Sequence, residues 1–360
     1  MTTTAQIDEP GPQQVAPAAH APAAPETAEY AAAHHARLAR FLPRRPYRDD
    51  DHFREVEREL WASHGRPDPV ERWVTAETFG NRLRVLDHGE GRTVLMVHGI
   101  PSAASSLVAM ARALDGTRVL AVDRPGCGLS EPIDYGPLDR DQIIGAITSN
   151  LAAAAEQLAD GPVDVVGASL GGMAALTFAA RRPDLVRSVI LAGVPSVRGL
   201  HLPRDLRLAT LEPVGRVVAR RWVTRRDFVH VLRAQGHDDL LEAGWLDGAE
   251  LEWRLALARH TDTFTHEMQL LSRAATWRGV RADWLPGRAE LESLQAPSLW
   301  WIGDKDPFAG PARVRAWAQH APRSRVVVQE GTGHQPWNPD PESVGRAIRE
   351  WWAGVESVAA

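Results

Sequence analysis

Val163-Asp164-Val165-Val166-Gly167-Ala168-Ser169-Leu170-Gly171-Gly172-Met173-Ala174-Ala175-Leu176 is the stretch from which the fold of this chain can be read. A β-branched run gives way to Gly-x-Ser-x-Gly and then to a segment rich in Ala, Leu and Met, the pattern of a strand, a sharp turn and a helix. Ser169 sits at the apex. A nucleophile lifted clear of a sheet by such a turn leaves no room for bulk two residues to either side, and Gly167 and Gly171 supply that room. The helix beginning near Leu170 aims its unpaired N–H groups at the space beside the serine, where an oxyanion would form.

The flanking sequence alternates in the same way. Thr93 to Val97, Arg118 to Val122 and Val186 to Ala192 read as short buried strands, and Arg140 to Ala159 reads as a long helix. Trp73 to Phe79 and Arg82 to Asp87, joined by Gly80-Asn81, alternate as a hairpin should. Strands of four to seven apolar residues alternating with helices imply an α/β protein with a mostly parallel central sheet covered by helices on both faces. In such sheets chemistry gathers at the carboxyl ends of the strands. His98, Asp123 and Ser169 all fall just past such an end.

Outside this core the composition changes. Residues 1–28 are Ala, Pro, Gln and Thr with almost no large apolar side chains, so a disordered tail is expected. Residues 29–72 read as a helical extension, with Phe53, Val56, Leu60 and Trp61 at helical spacing, packed outside the main domain or roofing the pocket. The core occupies residues 73–194 and resumes over residues 295–360 with Ser298 to Ile302, Arg325 to Gln329, and helices near 312–320 and 342–355. Between them, residues 195–294 show helical patterns and no convincing strand, and are expected to form an inserted all-helical cap. The cap tryptophans Trp222, Trp245, Trp253, Trp277 and Trp284 are expected mainly to pack the cap, with some lining an apolar pocket over Ser169. Arg216, Arg220, Arg221, Arg225 and Arg226 read as a solvated face.

A chain of 360 residues with 44% apolar and 24% charged residues can bury a sizeable core. The net charge of −5 gives no case for nucleic acid or an acidic membrane, and no stretch is apolar enough to span a bilayer. A single cysteine, Cys127, excludes an internal disulfide and fits a reducing compartment, so a cytoplasmic protein, monomer or homodimer, is expected. Histidines His201, His230, His237, His260 and His266 lack metal-ligand spacing, and neither metal nor cofactor is expected.

Two later strand ends supply what Ser169 lacks: Gly303-Asp304-Lys305-Asp306-Pro307 and Gly331-Thr332-Gly333-His334-Gln335-Pro336. A hydroxyl is protonated at neutral pH and needs a base; His334, with an intrinsic pKa near 6.5, can take and return its proton. Either Asp304 or Asp306 would hold the imidazole in the useful tautomer.

With His98-Gly99-Ile100-Pro101 and Asp123-Arg124-Pro125-Gly126-Cys127-Gly128-Leu129-Ser130, these motifs make the chain resemble the α/β-hydrolase superfamily over about residues 73–355. The resemblance implies Ser169 as nucleophile, His334 as base and Asp306 as acid, the second aspartate of its motif. It also implies an oxyanion hole from the backbone N–H groups of Ile100 and Leu170, with His98 bracing its loop and Cys127 structural. Some relatives carry the acid one strand earlier, but Ala192-Gly193-Val194-Pro195 offers no carboxylate. Dehalogenases and epoxide hydrolases of this type place an aspartate where Ser169 stands. The implied activity is hydrolysis of a carboxylic ester or similar acyl bond of a small, largely apolar substrate. The alternatives are a carbon-carbon hydrolase, thioesterase or lactonase, a non-hydrolytic acyltransferase or cyclase, or a ligand-binding protein.

Overall fold

Helix α1 (Asp50–Ser63) opens the fold, its first-turn N–H of His52 capped by Asp49. The computed structural model describes residues 47–359; the expected tail over residues 1–28 and residues 29–46 of the expected extension lie outside the described residues. After α1 come strands β1 (Val70–Ala76), β2 (Asn81–His88) and β3 (Arg92–Val97), helix α2 (Val108–Ala113), β4 (Thr117–Val122), α3 (Arg140–Leu158), β5 (Val163–Ala168), α4 (Leu170–Arg181) and β6 (Val186–Ala192). The segment between β6 and the next sheet strand holds α5 (Arg204–Ala209), α6 (Glu212–Arg220), α7 (Arg225–Ala234), α8 (Asp238–Glu242), α9 (Ala249–His260), α10 (Thr263–Ala274) and α11 (Arg288–Glu292). It also holds a ribbon, β7 (Ala275–Thr276) with β8 (Gly279–Val280), so the inserted segment is not wholly helical. The chain returns through β9 (Ser298–Gly303), α12 (Pro311–Ala318), β10 (Ser324–Gln329) and α13 (Pro341–Ala359).

The sheet order is β1-β2-β4-β3-β5-β6-β9-β10. The β1/β2 and β2/β4 pairs are antiparallel and every later pair is parallel. Buried parallel strands must be apolar on both faces, and β3 shows the division. Leu95 and Val97 join a core with α3 and α4, whereas Val94 and Met96 join a core on the opposite face with Met110, Ile348 and Trp352.

Helix α1 belongs to that second core. Phe53, Leu60 and Trp61 are almost fully buried, and Phe53 lies 6.5 Å, centroid to centroid, from Trp253 of α9. Polar contacts tie α1 to the turn after β4. Arg84 donates to Glu57 (2.5 Å), Glu71 (2.7 Å) and Asp123 (3.3 Å), and Ser105 donates to the other oxygen of Glu57. Asp123 in turn accepts from the N–H groups of Ala104 and Leu129, pinning two turns to one carboxylate. The helix packs on the outside of the core, its Phe53, Leu60 and Trp61 face laid against sheet and cap while His52, Glu55, Arg58 and Glu59 face solvent.

Truncating a ring buried on both sides leaves a cavity that neither α1 nor α9 can close. Phe53→Ala should lower the free energy of unfolding by about 3–5 kcal/mol, measured by urea denaturation. A loss below about 1 kcal/mol would mean that α1 is dispensable to the core.

Candidate active site

At the end of β5 the backbone of Ser169 takes φ 54°, ψ −113°, in the left-handed region that non-glycine residues rarely occupy. The turn is possible because its neighbours lack side chains. A Cβ on Gly167 would lie 2.4 Å from the Gly171 carbonyl oxygen, and one on Gly171 would lie 2.1 Å from that of Val97. Ser169 N–H donates to the Ala192 carbonyl (3.3 Å), tying the apex to the end of β6. The serine remains half-buried, within reach of solvent.

One strand further, β9 ends in the loop carrying Asp306, and β10 ends in the loop carrying His334. His334 Nδ1 and Asp306 Oδ2 are 2.7 Å apart, both residues 5% exposed. Asp306 also accepts from the N–H groups of Val194 (3.1 Å) and Phe308 (3.0 Å). A carboxylate facing Nδ1 fixes the proton there and leaves Nε2 as the acceptor. Asp304, the rival for the acid, is exposed, whereas Asp306 makes the contact. Gly193 fills the space between the serine and histidine loops: its φ is +74°, and a Cβ there would lie 2.3 Å from the His334 carbonyl oxygen. Asp306 and His334 are directly joined; Ser169 Oγ has no hydrogen-bond partner among the described residues.

On the other side of Ser169 lies the loop after β3. A Cβ on Gly99 would come within 3.1 Å of Ser169 Cβ, so the two backbones are in contact. The N–H groups of Ile100 and Leu170 have no acceptor among the described residues. His98 is fully buried, with Nδ1 on the Gly99 carbonyl (2.8 Å) and Nε2 accepting from Arg124 N–H (3.1 Å). Burial drives its pKa well below the usual histidine value, so it braces the loop as a neutral ring. Cys127 is buried, its Sγ donating to Glu267 (3.0 Å); burial and that carboxylate push the thiol pKa up, which suits a packing role.

The sequence pattern did not reveal how closely the inserted segment holds these loops. His334 N–H donates to the Gln235 carbonyl (3.0 Å), and Gln335 N–H donates to His237 Nε2 (2.6 Å). A Cβ on Gly236 would lie 2.5 Å from the Lys305 carbonyl oxygen. The only local cue is a glycine just past α7; the partners are about a hundred residues away. Of the cap tryptophans, two pack in core clusters as expected, but none lines the cavity beside Leu170. Trp253 and Trp284 are buried in core clusters, Trp222 and Trp277 are exposed, and a cavity of ≈ 20 Å³ beside Leu170 is lined by Arg124, Tyr135, Met173 and Leu270 with no tryptophan. Arg221 and Arg225 pair with Asp227 and Asp247 on an exposed face, as a solvated charge cluster would.

Residues 92–336 match the family model for the α/β-hydrolase fold. The chain belongs to the α/β-hydrolase family. It is 28% identical over 273 residues to a pimeloyl-(acyl-carrier protein) methyl ester esterase of Xanthomonas campestris pv. campestris, covering 74% of this chain and 97% of that protein. It is 30% identical over 238 residues to the protein of the same name from Neisseria meningitidis serogroup C, covering 66% and 84%. A thermophilic esterase from Thermogutta terrifontis superposes with a TM-score of 0.62 at 24% identity, covering 79% of this chain and 99% of that one. A serine hydrolase involved in carbazole degradation superposes equally well, at 21% identity over 79% of this chain and 99% of that one. No helix among the described residues is long and apolar enough to cross a membrane.

His237 offers a test of how the cap holds the base loop. Burial lowers its pKa from 6.5 to about 4, so the folded protein binds that proton less readily than the unfolded chain. Its contribution to stability is present above the unfolded value and is lost as pH falls toward about 4. Between about pH 7 and about pH 5 this one residue should remove ~2 kcal/mol of unfolding free energy. His237→Gln should flatten the acid limb of the denaturation profile by that amount; parallel profiles would contradict it.

Proposed function

We propose that this protein is a serine hydrolase that cleaves a carboxylic ester, or a similar acyl bond, of a small and largely apolar substrate through an acyl-enzyme. The observation that carries the reading is the buried Asp306–His334 pair, 2.7 Å apart, on loops at the same edge of the sheet as the turn that raises Ser169. The relatives named as methyl ester esterases support the same bond type. The lone, buried thiol of Cys127 suits a cytoplasmic setting.

In this mechanism Ser169 Oγ attacks the ester carbonyl while His334 Nε2 takes its proton. The oxygen of the tetrahedral intermediate accepts from the N–H groups of Ile100 and Leu170, which are otherwise unpaired. His334 then protonates the departing alkoxide, and the alcohol leaves an ester bond between the acyl group and Ser169. Water enters, gives its proton to His334 and attacks the acyl carbon, releasing the acid and restoring Ser169. Asp306 keeps the ring oriented and stabilises the imidazolium in both steps.

The test is steady-state hydrolysis of p-nitrophenyl acetate and butyrate. Ser169→Ala should abolish turnover, and Asp306→Asn, which preserves the geometry but spoils the tautomer, should lower kcat by ~10⁴. Turnover by Ser169→Ala at the wild-type rate, or a loss of only a few-fold in Asp306→Asn, would overturn the reading.

A further inference from the structure

Arg124 follows Asp123 in the turn after β4 and is nearly buried, as is Glu267 on α10 of the cap. The guanidinium makes three contacts. Nη2 donates to the Gly99 carbonyl (2.8 Å) and to Glu267 (2.9 Å), and Nε donates to the His98 carbonyl (3.2 Å). The second oxygen of Glu267 accepts from Cys127 Sγ. Apart from Glu267, everything Arg124 grips is backbone of the loop that touches Ser169.

That grip has a directional consequence. In a planar trans peptide the carbonyl and the N–H point opposite ways. The carbonyl of Gly99 is held by two donors, Arg124 Nη2 and His98 Nδ1. The N–H of the same peptide belongs to Ile100 and therefore faces away from Arg124, with no acceptor of its own. A Cβ on Gly99 would lie 3.1 Å from Ser169 Cβ, so rotating this peptide would change what is presented beside the serine.

A buried ion pair is a poor stabilising device, because desolvation offsets its attraction and an apolar pair of like volume often serves as well. The geometry points to a different use: Arg124 is a positioning residue that sets the Ile100 N–H as an oxyanion donor, and Glu267 lets the cap hold Arg124 in place. A lysine could not reproduce it, since one ammonium lacks the planar fork that spans two carbonyls and a carboxylate. The inference rests on the serine-hydrolase reading above.

It is tested with purified full-length protein, measuring kcat and KM on p-nitrophenyl butyrate and the inhibition constant of butylboronic acid, whose serine adduct mimics the tetrahedral intermediate. Arg124→Met should lower kcat by ~10²–10³ with KM changed less than about three-fold, and should weaken boronate binding strongly. Glu267→Gln keeps a hydrogen bond but loses the charge, and should cost about ten-fold in kcat with the same unchanged KM.

Folded variants, checked by circular dichroism, that retain kcat within about three-fold would overturn the inference, as would a loss confined to KM. If Arg124→Met does not fold, Glu267→Gln carries the decision alone. A wild-type protein inert toward the ester overturns the hydrolase reading and the inference together; an active wild type with indifferent variants overturns only the inference.

Discussion

The turn between β5 and α4 holds a serine at φ 54°, ψ −113°, a backbone conformation that costs of order 1–3 kcal/mol and must be enforced by its surroundings. Enforcement comes from close packing. Gly167 and Gly171 bring the start of α4 against β5 and against the carbonyl of Val97, the last residue of β3, and Ser169 N–H is tied to the last residue of β6. The parallel register then carries the arrangement outward: Ala168 pairs with Ala192, Ala192 with Trp301, and Gly303 with Gln329. β5 and β6 end level with each other and β9 and β10 run two residues further, so the loops bearing Asp306 and His334 begin at the same edge of the sheet as the serine turn.

The inserted segment completes this edge as a structural member. Gln235, Gly236 and His237 lie against the Asp306 and His334 loops, and Glu267 reaches the loop beside Ser169 through Arg124. Helix α1 closes the circuit by packing Phe53 against Trp253 of α9 while Glu57 holds Arg84 and, through it, Asp123. Movement of the cap as a rigid body would strain contacts to both the base and the oxyanion loop. Access for a substrate is better sought at the half-buried surface around Ser169, Gly99 and Ile100.

Much of this was legible in the sequence because it is local. The apolar runs of β3 to β6, β9 and β10 announce buried strands, and Ser169, Asp306 and His334 each stand in a short motif just past one. What escaped depends on distant partners. His237 bonds a residue 98 positions away and Glu267 one 143 positions away, and no local pattern encodes either pairing. The apolar stripe of α1 declares that the helix packs on something, not that it is laid against both sheet and cap. That the cap tryptophans would mainly pack was legible, and Trp253 and Trp284 do so; which of them, if any, would face a pocket was not. Strand β1 starts at Val70, three residues before the sequence suggests, because an exposed edge strand carries little alternation. The two-residue ribbon strands of the cap are too short for any period to show.

The central claim is that Ser169 is a nucleophile activated by the Asp306–His334 pair. Peptide mapping by mass spectrometry after treatment with a fluorophosphonate tests it most directly, with His334→Ala beside the wild type. The account predicts a phosphonyl adduct on Ser169 that forms rapidly in the wild type and is nearly absent in His334→Ala. Folded wild-type protein that carries no adduct on Ser169, or a variant labelled as fast as the wild type, would contradict it.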